Sequence, residues 1–217
     1  GLTGLVLQVL AMVVLAMLAL GLAGTPARAA EEDAVIDPPA RVGRIARTEG
    51  WVTLQSHDSD EFVDSPRNWP LTTGDVVSTG DFANAELRVG ASVFRIGENA
   101  RLTVVRLDDE AIELHLQRGS LAMTLASDDA AREVTASSPA GRFLPLGEGF
   151  FRIDASPTPG ATAWRSGLQV DQASATLTLK PGQYAQLYQE GGWRLGSPVS
   201  DEFARWAMRP DTPAPAV

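Results

Sequence analysis

The chain has 217 residues and no cysteine. That removes thiol catalysis, thiolate zinc centres, iron–sulfur clusters and disulfides, so an exported domain made from it must be held by its core alone. About 190 residues can supply such a core. There are two histidines, His57 and His115. His57 falls in a polar loop and His115 on the polar face of an expected strand, and nothing in their spacing brings them together as metal ligands. Lys180 is the only lysine, so nearly all positive charge is arginine. No Gly-x-Ser-x-Gly elbow, Walker loop or dinucleotide fingerprint occurs. Asp58, Asp60, Glu61 and Asp64 share one stretch without the EF-hand pattern or its turn glycine, and read as a solvated loop. Asp108-Asp109 and Asp128-Asp129 fall in turns, where adjacent carboxylates do not easily flank one bond. The expectation is a chain with no catalytic residues, no metal and no cofactor.

The formal net charge is −9. An acidic balance argues against nucleic acid, whose phosphates demand clustered Lys and Arg, and against adhesion to anionic lipid. Residues 2–22 are almost wholly apolar, with Thr3 and Gln8 the only polar side chains. Pro26 and the small pair Ala27 and Ala29 follow, an A-x-A site of the kind signal peptidase reads. Residues 1–29 are therefore expected to be a signal peptide. The alternative is a retained membrane anchor, since about 20 apolar residues span a bilayer. The first places the domain in the periplasm or outside the cell; the second anchors it in the inner membrane with its domain in the periplasm. Residues 30–41, with Asp37-Pro38-Pro39, read as an extended linker.

The informative stretch runs from Leu71 to Leu125. Ala85-Glu86-Leu87-Arg88-Val89 alternates apolar and charged residues; Ile112, Leu114 and Leu116 alternate with Glu113, His115 and Gln117, and Leu121, Met123 and Leu125 with Ala122 and Thr124. A period of two is what a half-buried strand requires. Gly, Asn and Asp turns separate the runs at about 8–12-residue spacing, the rhythm of an all-β sandwich, barrel or roll. Further short strands are expected at Gly149 to Ile153, Ala161 to Trp164, Leu168 to Val170, Ala175 to Leu179 and Tyr184 to Tyr188. Ala126 to Arg132 reads as a polar turn, and Pro145 marks an edge strand. Residues 200–209 form the one expected helix of the mature chain, capped by Ser200, with Phe203 and Trp206 on one face. Residues 210–217 read as a disordered tail.

Leu71-Thr72-Thr73-Gly74-Asp75-Val76-Val77-Ser78-Thr79-Gly80, Ala85-Glu86-Leu87-Arg88-Val89-Gly90, Ile96-Gly97-Glu98-Asn99 and Gln117-Arg118-Gly119-Ser120-Leu121 occur in this order. Trp164-Arg165-Ser166-Gly167-Leu168 and Leu179-Lys180-Pro181-Gly182-Gln183 follow. Together they resemble the FecR domain of bacterial envelope proteins. The resemblance covers about residues 42 to 188 and makes Gly74, Asp75, Thr79, Gly80, Gly90, Gly119, Gly167 and Gly182 the family-motif structural positions. Asp201, Phe203 and Trp206 resemble an Asp-x-Phe-x-x-Trp segment that follows the domain in a secreted subgroup. Gly147-Glu148-Gly149-Phe150 departs from the usual Gly-Thr-x-Phe. The resemblance implies an all-β FecR-like roll or stacked, solenoid-like β-module over 42–199 with a short C-terminal helix. It also implies a role relaying a signal in the envelope.

Five tryptophans complete the reading. Trp164 is expected in the core. Trp69 and Trp193 are candidate binding residues, because tryptophan is enriched in binding hot spots. Phe203 and Trp206 either staple the terminal helix to the β body or fill a partner's groove. The expected function is a non-catalytic periplasmic interaction module with an envelope protein or glycan as partner. The alternatives are a carboxylate-dependent glycan hydrolase, which needs two carboxyls facing across a cleft at roughly 5–10 Å, and a membrane-anchored FecR-type sensor regulating a sigma factor.

Overall fold

A computed structural model describes residues 41–58, 62–64 and 66–210. The expected signal or anchor, nearly all of the linker and the tail beyond Pro210 lie outside the described residues, as do Asp60 and Glu61 of the acidic loop.

The chain begins with β1 (Gly43–Glu49), β2 (Val52–Gln55), β3 (Phe62–Asp64), β4 (Pro70–Leu71), β5 (Val76–Thr79) and β6 (Asn84–Val89). It continues with β7 (Ser92–Ile96), β8 (Arg101–Leu107), β9 (Ile112–Arg118) and β10 (Ser120–Leu125). A short helix α1 (Asp128–Glu133) precedes β11 (Val134–Ser138), β12 (Gly141–Pro145), β13 (Gly149–Asp154) and β14 (Gly160–Ala163). The last elements are β15 (Leu168–Asp171), β16 (Thr176–Leu179), β17 (Gln183–Leu187), β18 (Trp193–Gly196) and helix α2 (Glu202–Ala207).

The strands form two open nine-stranded sheets. The first runs β4-β1-β6-β7-β10-β13-β14-β17-β18 and the second β3-β2-β5-β8-β9-β11-β12-β15-β16. From β5 onward, position in a sheet follows position in the chain. The chain places β6 and β7 in the first sheet, β8 and β9 in the second, β10 in the first, β11 and β12 in the second, and continues pairwise to β18. This is the all-β, stacked advance with a short terminal helix, and neither sheet closes into a barrel. Paired strands are antiparallel except β9 and β11, which run parallel.

Alternation decides what lies between the sheets. Leu87, Phe94, Met123 and Phe151 from the first sheet and Leu54, Leu102, Leu114 and Phe143 from the second share one core. Each such side chain, fully removed from water, contributes about 1.5–3 kcal/mol. The motif positions shape the turns that feed this core. The buried Asp75 carboxylate accepts from Thr72 N at 2.8 Å, Thr72 Oγ1 at 3.3 Å and His57 N at 3.0 Å. Thr79 Oγ1 donates to Gly97 O at 2.6 Å and accepts from Ala100 N at 2.9 Å. Gly119 has φ +82°, and a Cβ there would lie 2.5 Å from Ala100 Cα. Gly74 has φ +89°, with the His57 ring where its Cβ would be.

Two local expectations are corrected. Asp128–Glu133 is a helix, not a turn: the Ser127 side chain caps it through Ala130 N, with Asp128 and Asp129 in the first turn and Arg132 in the last. Pro145 is not on an edge, because β12 lies between β11 and β15. Leu146 N donates to Gly167 O at 2.9 Å, so the Pro145 nitrogen turns the other way, toward β11. The β11–β12 pairing stops at Phe143, so the missing N–H has no ladder partner there.

Candidate functional site

The outer face of the first sheet carries the polar chemistry. Strand register lines up Arg47, Glu86, Arg95, Ala122, Arg152, Thr162 and Tyr184 in one row across β1, β6, β7, β10, β13, β14 and β17. Ala122 is the small residue between two arginines. Helix α2 sits over it, with Trp206 and Ala207 packed on Ala122, and Phe150 and Phe203 at the margins.

Each arginine holds one end of the helix. Arg95 Nη1 donates to Ala207 O at 2.7 Å, while its Nε donates to Glu86 Oε2 at 3.0 Å. Arg152 Nη1 lies 2.7 Å from Asp201 Oδ2, and Nε donates to Asp154 Oδ1 at 2.9 Å. The Arg152 Cζ stands 5.1 Å from the Phe203 ring centroid, a cation–π distance. Phe203 and Trp206 stack with centroids 6.0 Å apart. The helix cap is Asp201, not Ser200: its Oδ1 accepts from Ala204 N at 2.7 Å. Only Asp201 can serve both the helix and Arg152 from one carboxylate.

The carboxylates here divide by environment. Burial pushes the Asp154 pKa up, against the opposing pull of Arg152 and the 2.5 Å hydrogen bond from Ser120 Oγ. Burial also opposes the Asp201 charge, but the Ala204 N–H and the Arg152 guanidinium outweigh it and hold its pKa below the usual carboxylate range. For Arg152, burial works against the charge, and Asp154 and Asp201 overcome it and raise the pKa. Tyr184 is raised by burial and by nearby Asp154.

Two hollows flank α2. Beside its N-terminal end, a hollow of about 320 Å³ is lined by Glu98, Arg152, Asp201 and Glu202 among others. Asp201 there is engaged as just described, and Glu98 Oε2 accepts from Phe82 N at 3.0 Å. Beyond the C-terminal end, a groove of about 670 Å³ runs between Ala207–Pro210 and the sheet. Its wall includes Phe150 and Trp164, whose rings tilt at 60° with centroids 5.0 Å apart. Arg95, Glu148, Arg165, Met208 and Arg209 also line it. The groove has the size of a ligand cleft and combines an apolar wall with three lining arginines.

The four candidate binding residues fall at three separate places. Trp69 lies beside β1 and β4 at one edge of the first sheet, 44% exposed, its carbonyl accepting from Ile45 N at 2.9 Å. Trp193 lies in β18 at the opposite edge and packs against the main core. Phe203 and Trp206 are together on α2, and Trp206 is buried there against the sheet. Trp164 is not in the main core. Ala161 and Ala163 face inward, so alternation sends Trp164 to the outer face and into the groove wall. Sequence reasoning missed Arg95 and Arg152. The available signal was a charge set among apolar residues, in Val93-Phe94-Arg95-Ile96 and Phe150-Phe151-Arg152-Ile153, next to an amphipathic helix able to cover it.

No protein-family model matches the chain, and no curated protein matches it. Two crystal structures of a candidate anti-sigma factor from Parabacteroides distasonis superpose on it with a TM-score of 0.49, at 9% and 8% sequence identity. The match covers 56% of this chain and 59% of that one, so the chain spans less than two thirds of the protein it resembles.

Proposed function

We propose that this chain is a non-catalytic interaction module of the bacterial envelope, acting through the outer face of its first sheet. The observation that carries the reading is the groove at the end of α2. It is open, part aromatic and part cationic, and it is framed by a helix locked to the sheet at both ends. The FecR-like motifs and the export signal expected in residues 1–29 support a periplasmic location. They also support a part in relaying a signal between envelope proteins. An interface of this kind works through anchors in a preformed pocket rather than through its whole area.

Site-specific photo-crosslinking in cells tests the proposal. A benzophenone side chain at Met208, in the groove, should capture one defined partner. The same probe at the exposed Thr178, on the outer side of the second sheet, should not. Equal capture from both positions, or none from Met208, would remove the groove as the interaction site.

A further inference from the structure

We infer that the groove takes an acidic, extended segment of a partner protein, its carboxylates meeting Arg165 and Arg209 and an apolar side chain lying on Phe150, Trp164 and Met208. This rests on the interaction-module reading and adds the chemistry of the partner. The first ground is charge. The chain as a whole is acidic, at −9, yet the groove brings together three arginines against the single carboxylate of Glu148. Arg95 is committed to Glu86 and to the end of α2. Arg165 and Arg209 are exposed, and among the described residues neither guanidinium pairs with a carboxylate. A fork of donors without a partner matches a carboxylate in geometry as well as charge.

The positive ground continues along the sheet. Arg44 on β1 lies directly opposite Arg88 on β6, and register carries that row through Val93 and Thr124 to Phe150 in the groove wall. Arg88 is engaged by Glu86 Oε1 at 2.8 Å, so the exposed Arg44 supplies the added positive charge of this row. Four strand spacings separate β1 from β13 along the row, about 19 Å, the reach of roughly six extended residues.

The aromatic wall favours a peptide over a sugar. Two rings tilted at 60° offer a notch, not one flat stacking face. Met208 beside them is an unbranched, adaptable contact for a protruding apolar side chain.

The test uses the exported chain and a fluorescein-labelled ten-residue peptide alternating Glu and Leu, read by anisotropy. The comparison probes are the same peptide with Gln for Glu and an oligogalacturonate of similar charge. The Glu peptide should bind, and should weaken as salt rises from about 50 to 500 mM, because exposed ion pairs are screened. Arg165→Glu with Arg209→Glu should weaken it about tenfold, the order set by two exposed pairs turned repulsive. Arg142→Glu, an exposed position on the second sheet, should change it little. Equal binding of the Gln peptide, or equal loss in the Arg142 variant, overturns the acidic partner while leaving the groove as a binding site. Oligogalacturonate bound in place of the Glu peptide assigns the groove to an acidic glycan and overturns the peptide. If no probe binds and Met208 crosslinks nothing, the interaction-module reading fails with it.

Discussion

Replacing Arg152 with methionine isolates what holds α2 to the sheet. Methionine keeps the unbranched stem and removes the guanidinium. Arg152 is only 8% exposed, and its two acidic partners differ sharply: the Asp154 side chain is 15% exposed and the Asp201 side chain 39%. Removing one partner of a buried pair typically costs about 3–5 kcal/mol, because the other charge is left unpaired. The half-exposed Asp201 pair and the Phe203 contact add little, about 0.5–1 kcal/mol each. Asp154 limits the loss, because burial has already raised its pKa and it can take up a proton. The expected cost at neutral pH is therefore about 3 kcal/mol, or about 6–12 °C in Tm for a domain of this size. The sign of the pH dependence follows. Without Arg152 the folded-state pKa of Asp154 rises further above its unfolded value, so the folded variant binds a proton that the unfolded chain does not. Its stability should recover as pH falls toward 5, and its deficit should grow again toward neutrality. Urea melts at pH 5 and 7.5, in wild-type and Asp154→Asn backgrounds, measure both quantities. A cost below about 1 kcal/mol, or the same cost at both pH values and in both backgrounds, would refute the assignment of Arg152 as the counter-charge of a buried carboxylate.

Trp206→Ala should free α2 without collapsing the β body, because its contacts form a cluster separate from the main core; amide exchange of residues 202–208 should rise sharply while the strands stay protected, and joint melting of both would contradict it. Gly119→Ala should cost about 2–3 kcal/mol, since the residue needs φ +82° and its new methyl would meet Ala100 Cα at 2.5 Å. Gly90→Ala, at φ +57° with open space around it, should cost about 1 kcal/mol, and denaturant midpoints for the pair test whether crowding or backbone strain dominates. Asp75→Asn should lose about 1–2 kcal/mol, because one amide oxygen must replace two carboxylate oxygens that together accept from three donors.

Much of the architecture was legible because strands announce themselves locally. Ile112, Leu114 and Leu116, then Leu121, Met123 and Leu125, fall inward where alternation places them. The Asp-x-Phe-x-x-Trp segment is a helix whose Phe and Trp share a face. Helix α1 was missed because six residues hold too little periodicity to compete with their turn-like composition, although the Ser127 cap was there to see. Trp164, expected in the core, lies on the outer face because Ala161 and Ala163 take the inward positions of its strand. The row from Glu86 through Arg95 and Ala122 to Arg152 was beyond reach for a different reason. Register between β7, β10 and β13 is set by turns and by the partner strands, and one sequence does not state it. A charge in a strand shows which face it leaves from, but not what will lie over that face.

The order in which the strands are laid down gives α2 a second consequence. A chain made from its N-terminus can add each hairpin to those already in place, since both sheets grow in one direction. Helix α2 breaks that progression. It is made after β18, yet it returns to the middle of the first sheet, and Arg95 meets Ala207 across 112 residues of sequence. Its two anchoring arginines stand at the right separation only when β7, β10 and β13 are side by side in correct register. The helix therefore acts as a seal on a finished assembly. A chain with a slipped register, or one stopped before α2, leaves two charged clusters and an alanine seat open to solvent, a ready mark of incomplete folding.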